Sequence, residues 1–421
     1  MLSATTIFGA GGMRKGAMAE ETAQPTIGTS APDGASAGRW AAPWPQAICR
    51  GGSIWAAFTA LRWVVALVTE YVQPDHGRLV QGPLGLLKLG ATWDSGYFVA
   101  VGRFGYFSIN QPAIWQAFFP EFPLAMRWLA GALTFSAPTD GRLVITGMLI
   151  SQVCSLFATV VIYRLAELHG GRRAGVFAAL LLMTWPTAIF LNAVYSESLY
   201  LALAVGAWWS ALRGRWWWAG LLCAGASFTR VNGLFLVAAL LVMLLVKVHR
   251  CQERFSIWKV VALGLGVSGT AAYLLYLWVQ TGDMLAWQHA QDEGWARRTV
   301  WPWTALTNTI DAIRGIDDFF RRAQWLIDMA MTVLGLLAAV YMAVRRFWPE
   351  LTLTIITFAA LLSSTNHLSI ARSMLTIFPI FVLGGGILAR RPEWVSTLVL
   401  TLSGVWMVAT TVLFTMTLWV G

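Results

Sequence analysis

The run LVITGMLISQVCSLFATVVIY, residues 143–163, leads into RLAELHGGRR, residues 164–173, and then into AGVFAALLLMTWPTAIF, residues 174–190. Neither apolar run contains Asp, Glu, Lys or Arg. Each is close to the length a helix needs to cross a hydrocarbon core of roughly 30 Å. Polar and apolar residues do not alternate within them, which excludes the strands of a membrane barrel and leaves the α-helix, whose backbone amides are satisfied internally. The basic connection between the runs belongs on the cytosolic side.

The whole chain follows this pattern. Of its 421 residues 57% are hydrophobic and 12% charged, about half the charged fraction of an ordinary soluble domain, roughly 25%. The reading is an all-α integral membrane protein with about eleven spans: Ile54–Tyr71, Leu143–Tyr163, Ala174–Phe190, Leu199–Leu212, Trp217–Phe228, Leu234–Val246, Val260–Val279, Leu326–Val344, Leu351–Leu362, Met374–Leu388 and Val395–Trp419. Residues 1–50, rich in Ala, Gly, Ser, Thr and Pro, read as a flexible cytosolic tail before a transmembrane domain over 51–421. The net charge of +10 lies between apolar runs and suits an anionic lipid surface better than nucleic acid. Cys49, Cys154, Cys223 and Cys251 form no disulfide framework and no paired zinc-ligand spacing.

Arg164, Arg172 and Arg173, then Arg213 and Arg215, then Lys247, Arg250, Arg254 and Lys259, then Arg345 and Arg346, then Arg390 and Arg391 fall in alternate connections. The short loops of the other side hold only Arg230 and Arg372. The N terminus is therefore inside, and two long segments, about 72–142 and 280–325, fall outside. The first of these contains AIWQAFFPEFPLAMRWLAGAL, whose aromatic residues suit amphipathic helices lying in the interface.

On the outer side lie TWDSGYF with Asp94, AFFPEFP with Glu121, NAVYSES with Glu197, FTRVNG with Arg230 and Asn232, GDMLAWQHAQDEGWARR with Gln291, Trp295 and Arg298, and SSTNHLSIAR with His367 and Arg372. A charged group at bilayer depth costs roughly 2.5–3.5 kcal/mol on insertion scales, so these residues are expected to face a cavity and act there. Each has a plainer reading. Asp94 could cap the helix after it, YSES could be a capping turn, the two arginines could snorkel, and Arg62 could be a buried polar contact. The lone histidines lack the spacing of metal ligands. GGG at 384–386 signifies close helix packing rather than a phosphate loop.

Six stretches in one order, TWDSGYFVAVGRFGY, AFFPEFP, AVYSESLYLAL, SFTRVNGLFLV, GDMLAWQHAQDEGWARR and ARSMLTIFPIF, resemble the glycosylphosphatidylinositol mannosyltransferase II family (PIG-V-like), multispanning transferases of the GT-C class. The chain departs from that pattern at Glu121, where a hydrophobic residue is usual, and at Ser373, where an aromatic is common. The resemblance implies a GT-C-type helical bundle that takes mannose from a polyprenyl- or dolichyl-phosphate carrier and sets it α-linked, α-1,6 by the family's activity, on a lipid-linked glycan. It also implies that Asp94 is the catalytic base.

The residue chemistry supplies the other roles. The anionic leaving group calls for fixed guanidiniums, Arg230 and Arg372 with Arg297 or Arg298 as a third and Arg298 preferred. Trp93, Tyr97, Glu121, Glu197, Asn232, Gln291, Trp295 and His367 would line the sugar and acceptor pocket. A monophosphate leaving group demands no metal, and no cofactor is expected. The composition favours a bacterial plasma membrane with the site on the extracytoplasmic face, or the endoplasmic reticulum membrane if the chain is eukaryotic. A transferase for another sugar is the nearest alternative, and a lipid-sugar transporter the alternative from another class, with Arg62 as its one supporting feature.

Overall fold

Apolar runs without a polar period fold as helices and pack through their smallest residues, and the computed structural model shows this over the residues it describes, 44–73, 90–108, 112–134 and 136–421. Among these residues there is no strand, only an isolated bridge between Thr299 and Ser364. The helices are α1 Trp44–Val72, α2 Ser95–Phe104, α3 Glu121–Thr134, α4 Asp140–Met183, α5 Glu197–Leu212, α6 Trp216–Thr229, α7 Asn232–His249, α8 Ile257–Gly264, α9 Ser268–Thr281, α10 Ala286–Trp295, α11 Pro302–Gly315, α12 Phe319–Val344, α13 Trp348–Leu362, α14 Ile370–Ser373, α15 Pro379–Leu388 and α16 Glu393–Thr415.

The expected tail ends earlier than residue 50, because α1 already begins at Trp44. The rest of the expected tail, 1–43, and residues 74–89 of the expected outer loop lie outside the described residues.

The two runs that open the sequence argument form α4, which breaks at Gly171 with φ +76° and ψ −177°. A positive φ of this kind is cheap for glycine alone. The two halves fold back on each other: the Thr159 hydroxyl lies 3.9 Å from the Met183 sulfur, and Asn192 just beyond donates to Gln152 Oε1 at 2.7 Å. The helix is thus an antiparallel hairpin at the centre of the bundle, packed by α1, α5 and α15. Gly385 permits the α15 contact, since a Cβ there would lie 2.6 Å from the Ala174 carbonyl oxygen. The GGG stretch therefore serves packing, as expected.

Among the described residues six helices are long and apolar enough to cross a membrane: α1, α4, α7, the continuous pair α8–α9, α12 and α16. A seventh follows if α14 and α15, bent by 89°, count as one broken span. The expected count of about eleven is not reached by that measure. α5, α6 and α13 coincide with expected spans but have only 16, 14 and 15 residues. Leu67, Val68, Leu402 and Val405 are exposed on α1 and α16, as an apolar surface facing lipid requires.

The long connection after α1 supplies α2 and α3, with Ala113–Ala117 forming a tight 3-10 turn before Pro120. The stretch AIWQAFFPEFPLAMRWLAGAL is divided there, because proline removes the amide that would continue the helix.

Candidate active site

Asp94 stands at the start of α2, but its side chain makes no capping hydrogen bond. It instead accepts from Arg372 Nη1 at 2.8 Å, across 278 residues of chain. Trp93 immediately before it is held at φ +56°, a conformation costly for a bulky residue and one that collects at functional sites.

The same guanidinium donates through Nε to Glu197 Oε1 at 2.6 Å. Glu197 opens α5 and is 1% exposed. Its Oε1 also takes Arg230 Nη1 at 2.9 Å, and Arg230 reaches the Ser196 hydroxyl at 3.0 Å. Ser196 makes no cap bond either, so both capping readings give way to one ionic chain, Asp94–Arg372–Glu197–Arg230. Burial raises the Glu197 carboxyl, but Arg372 and Arg230 together outweigh this and hold it below the ordinary carboxylate range.

Arg372 is packed between rings, its guanidinium carbon 4.7 Å from the centroids of Phe190 and Tyr195 and 5.7 Å from Trp419. Such a sleeve removes water and strengthens every charge contact inside it. Tyr195 is fixed in turn by donating to the Thr92 carbonyl at 2.9 Å.

The sequence could not separate Arg297 from Arg298, and the preferred one is turned away. Arg298 is exposed and paired with Asp292 at 2.7 Å. Arg297 is half-buried and makes no ion pair among the described residues. Its guanidinium is held below its usual range, first by its own burial and then by Arg372, while Asp94 and Asp328 oppose the shift. Of Arg230, Arg372 and Arg297, the first two are already ion-paired, while Arg297 makes no ion pair among the described residues.

Tyr97 and Trp295 form an aromatic wall with Phe118, at 4.9 Å for Tyr97–Phe118 and 5.6 Å for Phe118–Trp295. Burial and then the Asp94 charge raise the Tyr97 phenol. Asn232 at the head of α7 donates to the Thr376 hydroxyl at 3.1 Å and so braces the segment after Arg372.

Three other expected pocket residues serve elsewhere. Glu121 takes a hydrogen bond from the Thr229 hydroxyl at 2.7 Å, directly before Arg230, and burial pushes its carboxyl up to about 7 despite that bond. Gln291 donates to the Ala117 carbonyl at 3.3 Å beside Trp287 at 3.2 Å, tying α10 to the 3-10 turn. His367 is buried in the loop before α14, where its backbone amide donates to Thr309. Arg62 is a clamp, bonded to the Met183 carbonyl at 2.7 Å and to Asn192. Asp328 went unread, although a lone acid inside the apolar run Leu326–Val344 is the same signal that singled out the others.

The helices that meet at the cluster share one polarity. α5 leaves Glu197 for Arg213, α6 returns to Arg230 from Arg215, α7 leaves Asn232 for Arg250, and α12 runs from Asp328 to Arg345. The site therefore sits at the ends opposite the basic connections.

Comparison with known proteins places residues 79–270 within the family model described as Mannosyltransferase (PIG-V). A relative called GPI alpha-1,6-mannosyltransferase 2 from Cricetulus griseus is 36% identical over 172 residues, 39% of this chain and 33% of that protein. The Homo sapiens protein of the same name is 36% identical over 188 residues, 42% of this chain and 34% of its own. The matched region thus spans about a third of the length of these relatives.

Among solved structures, ArnT from Cupriavidus metallidurans, bound to undecaprenyl phosphate, aligns with a TM-score of 0.45 at 18% identity over 80% of this chain and 61% of its own. The Archaeoglobus fulgidus oligosaccharyltransferase aligns at 0.46 and 13% identity over 86% and 55%. Asp94, Glu197 and Arg230 lie inside the family match, and the fold brings Arg297 and Arg372 to them from beyond it. The resemblance drawn from the motifs is borne out over residues 79–270, which match the family model described as Mannosyltransferase (PIG-V).

Proposed function

We propose that the chain is an inverting mannosyltransferase of the GT-C class. It moves mannose from a polyprenyl-phosphate-mannose donor to a hydroxyl of a lipid-linked glycan and forms an α-mannosidic bond, α-1,6 by likeness to the named relatives. The observation that carries the reading is the 2.8 Å contact between Asp94 and Arg372, an acid beside an anion-binding cluster. The reaction needs a proton acceptor and a phosphate receptor at one place.

The donor phosphate is received by Arg230, Arg372 and Arg297. As the acceptor oxygen attacks the anomeric carbon, the bond from that carbon to the phosphate oxygen breaks, and the electron pair leaves with the polyprenyl phosphate. The guanidiniums stabilise the departing charge without proton transfer. The acceptor proton passes to Asp94, a step for which a positioned base contributes about 10²- to 10⁴-fold. One displacement inverts the centre, so a β-linked donor gives an α-linked product.

The outer face is supported by helix polarity, since the site and the Arg- and Lys-rich connections occupy opposite helix ends. Transport is the weaker reading, because Arg62 is saturated by backbone and amide acceptors rather than poised to couple an ion. The test is incubation of the purified protein with radiolabelled polyprenyl-phosphate-mannose and a lipid extract. Label entering a glycolipid supports the reading, and label remaining wholly on the carrier opposes it.

A further inference from the structure

Arg372 sits on a four-residue helix, α14, behind Ser369, which is held at φ +70°. So short a turn does not hold its own geometry. The structure supplies the restraint from outside. Asp328, 1% exposed within α12, accepts the amide of Ser369 at 2.9 Å on Oδ2 and the amide of Ala371 at 2.9 Å on Oδ1. From the opposite side Trp185 Nε1 and the Thr187 hydroxyl both donate to the Ala371 carbonyl, at 2.9 and 3.0 Å. Both polar groups of the Ala371 residue are thus held by side chains, and the next residue is Arg372.

We infer that Asp328 is a positioning residue for Arg372: the two-oxygen clamp of a buried carboxylate on Ser369 and Ala371 aims the guanidinium at Asp94 and Glu197. The clamp is independent of any substrate, and its consequence for turnover rests on the mannosyl-transfer reading above. A carboxylate offers both oxygens as acceptors, whereas an amide offers one. Asp328→Asn therefore keeps the volume and loses one of the two bonds. A residue that merely filled space in α12 would tolerate that change.

Two arms test this on the full-length protein in detergent. Hydrogen exchange read on peptides covering 366–374 is expected to accelerate about tenfold in Asp328→Asn, with the rest of α12 unchanged, as local opening requires. Turnover with polyprenyl-phosphate-mannose is expected to fall about 10- to 100-fold, the cost of a small misplacement. That loss should vanish in an Arg372→Lys background, because the two residues act through one group.

Unchanged exchange at 366–374, or losses that simply multiply in the double variant, would overturn the inference. If wild-type protein transfers no mannose, the functional reading fails while the exchange arm still decides the clamp. Should Asp328→Asn not fold, Thr187→Val with Trp185→Phe releases the same segment from its other side. Local acceleration is again the supporting result, and its absence the contrary one.

Discussion

Arg372 is bonded at once to Asp94, at 2.8 Å, and to Glu197, at 2.6 Å. The acid assigned to take a proton is thus held by the cation assigned to take a phosphate. On the proposed reading, a phosphate arriving at Arg372 would compete with Asp94 for the guanidinium and so would prepare the base.

Glu197 is the electrostatic centre of the cluster, buried beneath two guanidiniums. Glu197→Gln leaves Arg372 and Arg230 under-compensated. Removing one partner of a buried ion pair costs roughly 3–5 kcal/mol, and thermal unfolding in detergent should show a loss of that order together with lost transfer. Arg230→Ala, whose side chain is 23% exposed, should cost less stability while still weakening donor binding.

Arg297 and Arg298 are adjacent yet unlike. Arg297→Ala should weaken binding of polyprenyl phosphate about tenfold, the weight of one charge-assisted contact. Arg298→Ala, which only releases Asp292 at the surface, should leave it unchanged. Titration of the two purified variants by tryptophan fluorescence checks this.

That pair also marks where the sequence stops being informative. Asp94, Glu197, Arg230 and Arg372 could be read because each is a polar residue stranded among apolar ones, and the insertion cost makes such residues rare. Which of two neighbouring arginines faces inward depends on the backbone, here the left-handed turn at Ala296, φ +50°. Glu121 shared the composition signal of that cluster but is bonded to Thr229. Apolar length located the helices, but it does not fix the number of crossings, since α5 and α6 have only 16 and 14 residues against the roughly 20 of an ordinary span.

Glu121 gives a pH signature. Its carboxyl is raised to about 7 from about 4.3 in an unfolded chain, so the folded state favours the protonated form. The resulting stability is fully present below the unfolded value and is lost as pH climbs towards 7. Linkage makes the span about 4 kcal/mol. Glu121→Gln should flatten melting temperature against pH between about 4.5 and 7, and should melt higher than wild type at pH 8.

Close helix packing offers a control pair. Gly385→Ala drives a Cβ to 2.6 Å from the Ala174 carbonyl oxygen, whereas Gly386→Ala meets nothing within 4 Å. The first should lower the melting temperature by an amount corresponding to about 1–3 kcal/mol of overpacking, and the second should be neutral. Differential scanning fluorimetry of both is sufficient.

The most direct measurement compares wild-type and Asp94→Asn protein in liposomes supplied with radiolabelled polyprenyl-phosphate-mannose and a glycolipid acceptor. The amide that replaces the carboxylate still accepts the Arg372 hydrogen bond but takes up no proton. Transfer should fall by at least about 10²-fold while donor binding holds. Transfer at the wild-type rate by the Asp94→Asn protein would contradict the assignment of Asp94 as the base.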